Sequence, residues 1–137
     1  MYGREKYLDL VDYILGDNAL DEDTACRACI NRLYYCLFNE LLYLNPDLRQ
    51  KDTLYDGGGS HENTINRFCD ILKDQNPGYD GLIKTIKKDL VTMSKHRQNS
   101  DYYKKNARLD EYITKKGVVI LKDMTTGILE KIDRVLE

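Results

Sequence analysis

The chain predicts an all-α fold, an antiparallel bundle of four to five helices in one domain spanning residues 1–137, and three observations carry that expectation. Apolar residues recur at helical spacing, as in Ile30, Leu33, Leu37 and Leu41, which align when successive residues turn by about 100°. The apolar stretches are punctuated by residues that cap or stop helices, at Gly16-Asp17-Asn18, Asn45-Pro46 and Asn76-Pro77-Gly78. No strand-like alternation, heptad array or internal repeat competes with that pattern. A length of 137 residues suits a single core, and short connections make antiparallel packing the natural one.

The first helix is expected from Glu5 to Leu15, with Tyr7, Leu10 or Val11, and Ile14 on its inner side. The second opens among Asp21, Asp23 and Thr24, acidic and cap-forming residues suited to a positive helix end, and runs to about Leu44. Tyr34, Phe38 and Leu42 widen its apolar stripe, so this helix is expected at the centre of the bundle. Asp47 to Gly59, polar and ending in three glycines, reads as a surface loop. Ser60 reads as the N-cap of a third helix, and Ile65, Phe68 and Leu72 extend a buried stripe that His61 begins. A fourth helix is expected from Asp80 to Gln98 on a core line of Ile83, Ile86, Leu90 and Met93, with Arg97 next in that line and His96 turned elsewhere. Asn99 to Arg108 reads as a turn, and Leu109 to Leu136 as one long final helix with Ile113, Ile120, Met124, Ile128 and Val135 inward. Gly117 and Gly127 are unfavourable inside a helix by roughly 1 kcal/mol each, which points to close approach by a neighbouring helix or a partner chain.

The net charge of −2 hides an asymmetry. Between Lys84 and Lys116 ten basic residues face four acidic ones, whereas the rest of the chain carries eleven against nineteen. That distribution favours an anionic partner for one face, and a solvated helix surface gives the same count. No apolar run reaches the roughly 18 residues that span a bilayer, and the first residues lack the order of a secretory signal, so a cytoplasmic protein without membrane contact is expected. Cys26, Cys29, Cys36 and Cys69 are expected to be buried thiols, since three of them share one helix at spacings poorly disposed to bridge. Neither a four-ligand zinc site nor the strand-to-helix setting of a redox Cys-x-x-Cys pair is visible, and no metal or other cofactor is expected.

Three polar residues interrupt lines that are otherwise apolar. Arg27 is in register with Tyr34 and Phe38, His61 with Ile65 and Phe68, and Arg97 with Leu90 and Met93. A buried guanidinium needs a partner, because an unpaired charge removed from water costs several kcal/mol or more. Each has a structural explanation: an ion pair or a snorkelling head for Arg27, a hydrogen-bonded core histidine, an Arg97–Asp101 pair closing the helix. Their coincidence suggests a shared polar cleft.

Arg27-Ala28 followed by Asn31-Arg32-Leu33-Tyr34-Tyr35 and Phe38 resembles a helix of the small stand-alone HEPN-domain proteins of prokaryotes. His61 resembles the histidine that opens the next helix in that group, and Arg97-Gln98-Asn99-Ser100-Asp101-Tyr102 resembles its Arg-x-x-Ala/Ser-Asp-Tyr signature. The resemblance covers roughly residues 20–137 in order and spacing. It implies a HEPN-like bundle, usually a homodimer, in a superfamily that includes metal-independent endoribonucleases of toxin–antitoxin and antiphage systems. Many of those enzymes place a histidine shortly after the arginine, whereas here Tyr102 and Tyr103 occupy that region and no histidine follows Arg97.

The residues lend themselves to metal-free RNA cleavage. Histidine titrates near neutrality and can move the 2′-hydroxyl or 5′-oxygen proton, while arginine is a permanent donor to phosphate. Arg97, His61 and Tyr102 are therefore the expected catalytic residues, and Arg27, Asp101, Tyr35, Lys95 and Lys104 the expected phosphate- or RNA-binding ones. The three glycines before Ser60 offer amides at a helix start, but lack the ending of a P-loop. Two functions are in view: an RNA-directed endoribonuclease with a possible antitoxin or operon-partner protein, and a non-catalytic module binding a nucleotide, nucleic acid or partner protein.

Overall fold

The computed structural model describes residues 3–50, 60–103 and 106–137. Among them run α1 (Arg4–Gly16), α2 (Glu22–Leu44), a 3₁₀ turn (Pro46–Arg49), α3 (Ser60–Gln75), α4 (Asp80–Tyr102), a single-turn α5 (Ala107–Asp110) and α6 (Lys115–Leu136), with no strand. The all-α bundle expected from periodicity is the observed one.

Helix α2 begins where Asp21 accepts hydrogen bonds from the Thr24 amide at 3.0 Å and the Thr24 hydroxyl at 3.1 Å. It packs against α1, α4, α6 and the 3₁₀ turn, while α3 lies on α4. Its central place follows from its girth: Ile30, Leu33, Leu37 and Leu41 are fully buried on one stripe and Tyr34 is buried beside them. Ile65, Phe68 and Leu72 of α3 and Ile83, Ile86, Leu90 and Met93 of α4 complete the same core. Arg4 of α1 pairs with the buried carboxylate of Glu40 on α2 and with Asp133 of α6 at 3.0 Å, joining three helices at one end of the bundle.

The expected stripes on α2, α3 and α4 are thus observed, and two boundaries are corrected. Asn99 to Tyr102 belongs to α4 rather than to a turn. The polar Asn99-Ser100 pair has weak helical preference, but Arg27 donates to the carbonyls of both residues and Asn99 donates to Asp110 at 2.8 Å, so tertiary bonds hold the extra turn. The helix ends at Tyr103, whose φ of 50° is left-handed. The single long final helix is in fact α5 and α6 with a break between them, and Thr114 caps α6 through the Gly117 amide at 3.0 Å.

That break resets the helical phase. The inner line of α6 is Val118, Leu121, Thr125, Ile128, Ile132 and Val135, whereas Ile120, expected inside, is 45 % exposed. Gly117 is explained by the same break: a Cβ there would meet the Tyr112 carbonyl oxygen at 2.3 Å, so the close approach comes from the entry turn rather than from a neighbouring helix. At Gly127 a Cβ would meet nothing within 4 Å among the described residues, so no described helix approaches it there.

All four cysteines are buried thiols. Burial pushes the thiols of Cys29 and Cys69 up to about 12, which leaves them protonated and unreactive near neutral pH. Among the described residues no helix is long and apolar enough to cross a membrane. The three glycines at 57–59, most of the expected surface loop and Lys104 lie outside the described residues.

Candidate functional site

The first turn of α3 carries His61 onto the face of α2 where Tyr34, Tyr35 and Phe38 follow one another at helical spacing. The Tyr34 hydroxyl and His61 Nδ1 are 2.8 Å apart, and the imidazole centroid lies 4.4 Å from Phe38, 5.5 Å from Tyr34 and 5.9 Å from Tyr35. From α4, Ser94 stands close enough to the same hydroxyl to lower the Tyr34 pKa. One turn on, the Arg97 guanidinium carbon lies 5.2 Å from the Tyr34 ring, 5.9 Å from Tyr35 and 5.6 Å from Tyr102. Arg97 and His61, 36 positions apart in the sequence, therefore share two tyrosines.

Arg97 is only 5 % exposed, yet its polar contacts are long: Nη1 is 3.5 Å from Asp101 Oδ2 and 3.5 Å from the Tyr102 hydroxyl, and Nε is buried without a partner. Asp101 is drawn away from it by Asn31, whose Nδ2 donates to both carboxylate oxygens at 3.1 and 3.0 Å. A guanidinium held this loosely has donor capacity left for an anion.

Burial depresses the His61 pKa, and the charge on Arg97 depresses it further, so the ring is neutral at pH 7. Burial also pushes the Tyr34 phenol up to about 12 although Ser94 and Arg97 pull it down, so its proton stays in place. The neutral imidazole has two tautomers. If the Tyr34 O–H donates to Nδ1, the proton sits on Nε2 and can be given up; if Nδ1–H donates to Tyr34, Nε2 is the accepting nitrogen. Passing from one arrangement to the other requires a proton to leave one ring nitrogen and reach the other, with the Tyr34 hydroxyl turning from donor to acceptor.

Arg27 stands outside this pair. Its Nε bonds Asp23 at 2.9 Å, its Nη1 donates to the carbonyls of Ser100 and Asn99 at 3.1 and 3.3 Å, and its guanidinium carbon lies 3.9 Å over the Tyr103 ring. This is an ion pair combined with a cap on the negative end of α4. Arg27 lines a groove of about 410 Å³ with Asn31, Arg32, Ser100, Asp101 and Tyr103, and Asp101 connects that groove to Arg97.

Of the residues expected from sequence, the fold brings together His61, Arg97, Tyr35, Tyr102 and Asp101, sets Arg27 in the adjoining groove, and leaves Lys95 exposed. Lys95 borders a second cleft, of about 230 Å³, with Glu62, Ser94 and Gln98 between α3 and α4. His96 is buried, as Arg97 is, but its ring packs on Tyr112 with centroids 4.7 Å apart, away from the α2 tyrosines. Sequence reasoning assigned no role to Ser94, Asn31, Arg32 or Tyr103. Ser94 was detectable as a hydroxyl one residue past the Met93 core position and one turn before Arg97; Tyr103 carries no signal until its left-handed backbone is known.

Among the described residues no group of three or more His, Cys, Asp or Glu side chains is disposed to hold a metal ion. No protein-family model, curated protein or solved structure matches the chain.

Proposed function

We propose that this chain is an RNA-directed protein of the HEPN class, a metal-independent endoribonuclease acting as a toxin or antiphage effector in the cytoplasm, as a homodimer and under the control of an antitoxin or operon partner. The observation that carries the chemistry is the shared setting of Arg97 and His61: a neutral imidazole and an under-partnered guanidinium on the same two tyrosines. In the proposed reaction the 2′-oxygen attacks the adjacent phosphorus, the P–O5′ bond breaks, and a 2′,3′-cyclic phosphate forms. His61 takes the 2′-hydroxyl proton, and the 5′-oxygen leaves with a proton from water. Arg97 stabilises the charge that develops on the phosphorane oxygens. Tyr102, 63 % exposed and bound to Arg97 only at 3.5 Å, is the cover the scissile phosphate displaces.

A second reading, binding of RNA, a nucleotide or a partner protein without cleavage, is favoured by the depth of Arg97 and by the lack of a histidine after it. Incubation of the purified protein with structured RNA in EDTA separates the two. Cleavage to cyclic-phosphate ends, lost in both Arg97→Ala and His61→Ala, is the expected result. Intact RNA, or equal cleavage by the variants, overturns the nuclease, and retained RNA affinity without cleavage establishes the second reading.

A further inference from the structure

The groove between α2 and the last turn of α4 has features that the Arg97–His61 pair does not use. Tyr103 presents a ring that is 64 % exposed, held by a left-handed residue with φ of 50°. That conformation is unfavourable for a residue with a side chain, and here it places the ring against Arg27 at 3.9 Å. One face of the tyrosine is thus backed by a fixed cation, while much of the ring stays in water. Such an aromatic surface is the usual platform for an unpaired base, and the cation behind it strengthens stacking.

The groove wall supplies a cation and a hydroxyl as well. Arg32 donates to the neutral Asn31 Oδ1 and lies 5.7 Å from the Tyr35 ring; no ion pair engages it among the described residues. Its charge is therefore available to a phosphate in a way that Arg27, committed to Asp23 and two carbonyls, is not. Ser100 is 2 % exposed, lines the groove, and its Oγ has no hydrogen-bond partner. A buried hydroxyl left unsatisfied is uncommon, and one that lines a groove has bonding capacity left for a ligand atom. Asp101 stands on the same wall, its carboxylate engaged by Asn31 at both oxygens and by Arg97 at one.

We infer that this groove is a subsite for one unpaired nucleotide of an RNA strand, its base stacked on Tyr103, its phosphate on Arg32 and its sugar or phosphate oxygen bonded by Ser100. The inference rests on the RNA-directed reading and deepens it, because a base stacked on Tyr103 cannot also be paired: the substrate class is single-stranded RNA. A duplex presents its phosphates but not its base faces, so it reaches Arg32 without reaching Tyr103.

The experiment measures anisotropy of a labelled, unstructured oligouridylate and of a blunt RNA duplex, with wild type, Tyr103→Asn, Tyr103→Trp and Ser100→Ala. Asparagine tolerates the left-handed backbone, so Tyr103→Asn removes the ring without disturbing the end of α4. The expected result is single-strand binding about tenfold weaker in Tyr103→Asn, restored in Tyr103→Trp, weakened severalfold in Ser100→Ala with unchanged melting, and duplex binding that neither Tyr103 variant alters. Wild type that binds oligouridylate while Tyr103→Asn binds equally well overturns the subsite and leaves the RNA reading standing. Equal loss of duplex and single-strand affinity in Tyr103→Asn also overturns it, since that pattern belongs to a general backbone contact. Wild type without affinity for either probe overturns both.

Discussion

Replacing Arg97 with methionine separates a catalytic arginine from a structural one, because the side-chain stem is kept and only the guanidinium is lost. The guanidinium contributes a 3.5 Å ion pair to Asp101, whose side chain is 24 % exposed, a contact worth less than about 1 kcal/mol at that distance and hydration. Its three aromatic neighbours, at 5.2 to 5.9 Å, stand near the outer limit of cation–π attraction and add about 1 kcal/mol together. Against these stands the buried, unpartnered Nε, whose lost hydration is unfavourable by about 1–3 kcal/mol and disappears with the substitution. Asp101 is not orphaned, since Asn31 continues to donate to both of its oxygens. The expected net change is within about 1 kcal/mol, or about 4 °C in Tm for a chain of this size, while cleavage in EDTA falls by about a hundredfold or more. Urea unfolding and thermal melts of Arg97→Met beside wild type give the first quantity, and cyclic-phosphate release gives the second. A loss of about 3 kcal/mol or more refutes the reasoning, because breaking a well-made buried pair has that magnitude.

Burial holds His61 and His96 below the ordinary histidine value of 6.5, so the unfolded chain binds more protons than the folded one just below that value. Stability is therefore full above about pH 6.5 and falls as the pH drops below it; urea midpoints between about pH 7.5 and 5.5 should decline, less steeply in His61→Asn, and a flat profile contradicts the burial of neutral imidazoles. Tyr34→Phe leaves His61 Nδ1 without its hydroxyl partner and should destabilise by about 1–2 kcal/mol while also lowering cleavage; calorimetry and the RNA assay test both effects. Gly117→Ala drives a Cβ against the Tyr112 backbone and should lower stability by about 1–2 kcal/mol in denaturant titration, even after the helical preference of alanine is counted. Gly127→Ala meets nothing among the described residues and should raise stability by about 0.5–1 kcal/mol in the same titration.

The helical stripes were legible because each rests on one period carried by residues on one helix. Ile30 to Leu41, Ile65 to Leu72 and Ile83 to Met93 keep that period without interruption, and so does Arg97, whose burial follows from the core line of α4. Ile120 was misplaced because its phase was counted from Ile113 across a break that residues 111–114 introduce. The turn read at Asn99 failed for a complementary reason: its local signals are real, but Arg27, 72 positions earlier, supplies hydrogen bonds that no local window contains. At the site, the meeting of Arg97 and His61 was anticipated from two separate stripes. The separation of Arg27 from that pair was not, since register along a helix says which way a side chain leaves it but not which backbone carbonyls wait there. Tyr34 was read as core, and its bond to His61 depends on the angle at which α3 crosses α2, a quantity set by packing.

Tyr34 has two roles at once: its ring is wedged into the innermost layer of the bundle, and its hydroxyl is the hydrogen-bond partner of His61 Nδ1. Adaptive change at the imidazole is consequently constrained from behind, because any residue that alters the tautomer must also fill the same volume. On the α4 side, Ser94 is a small residue and Tyr102, which contacts Arg97, is exposed, so neither fills the interior layer to that extent. Natural drift and laboratory selection should both retune the chemistry from α4 and leave the α2 tyrosine in place.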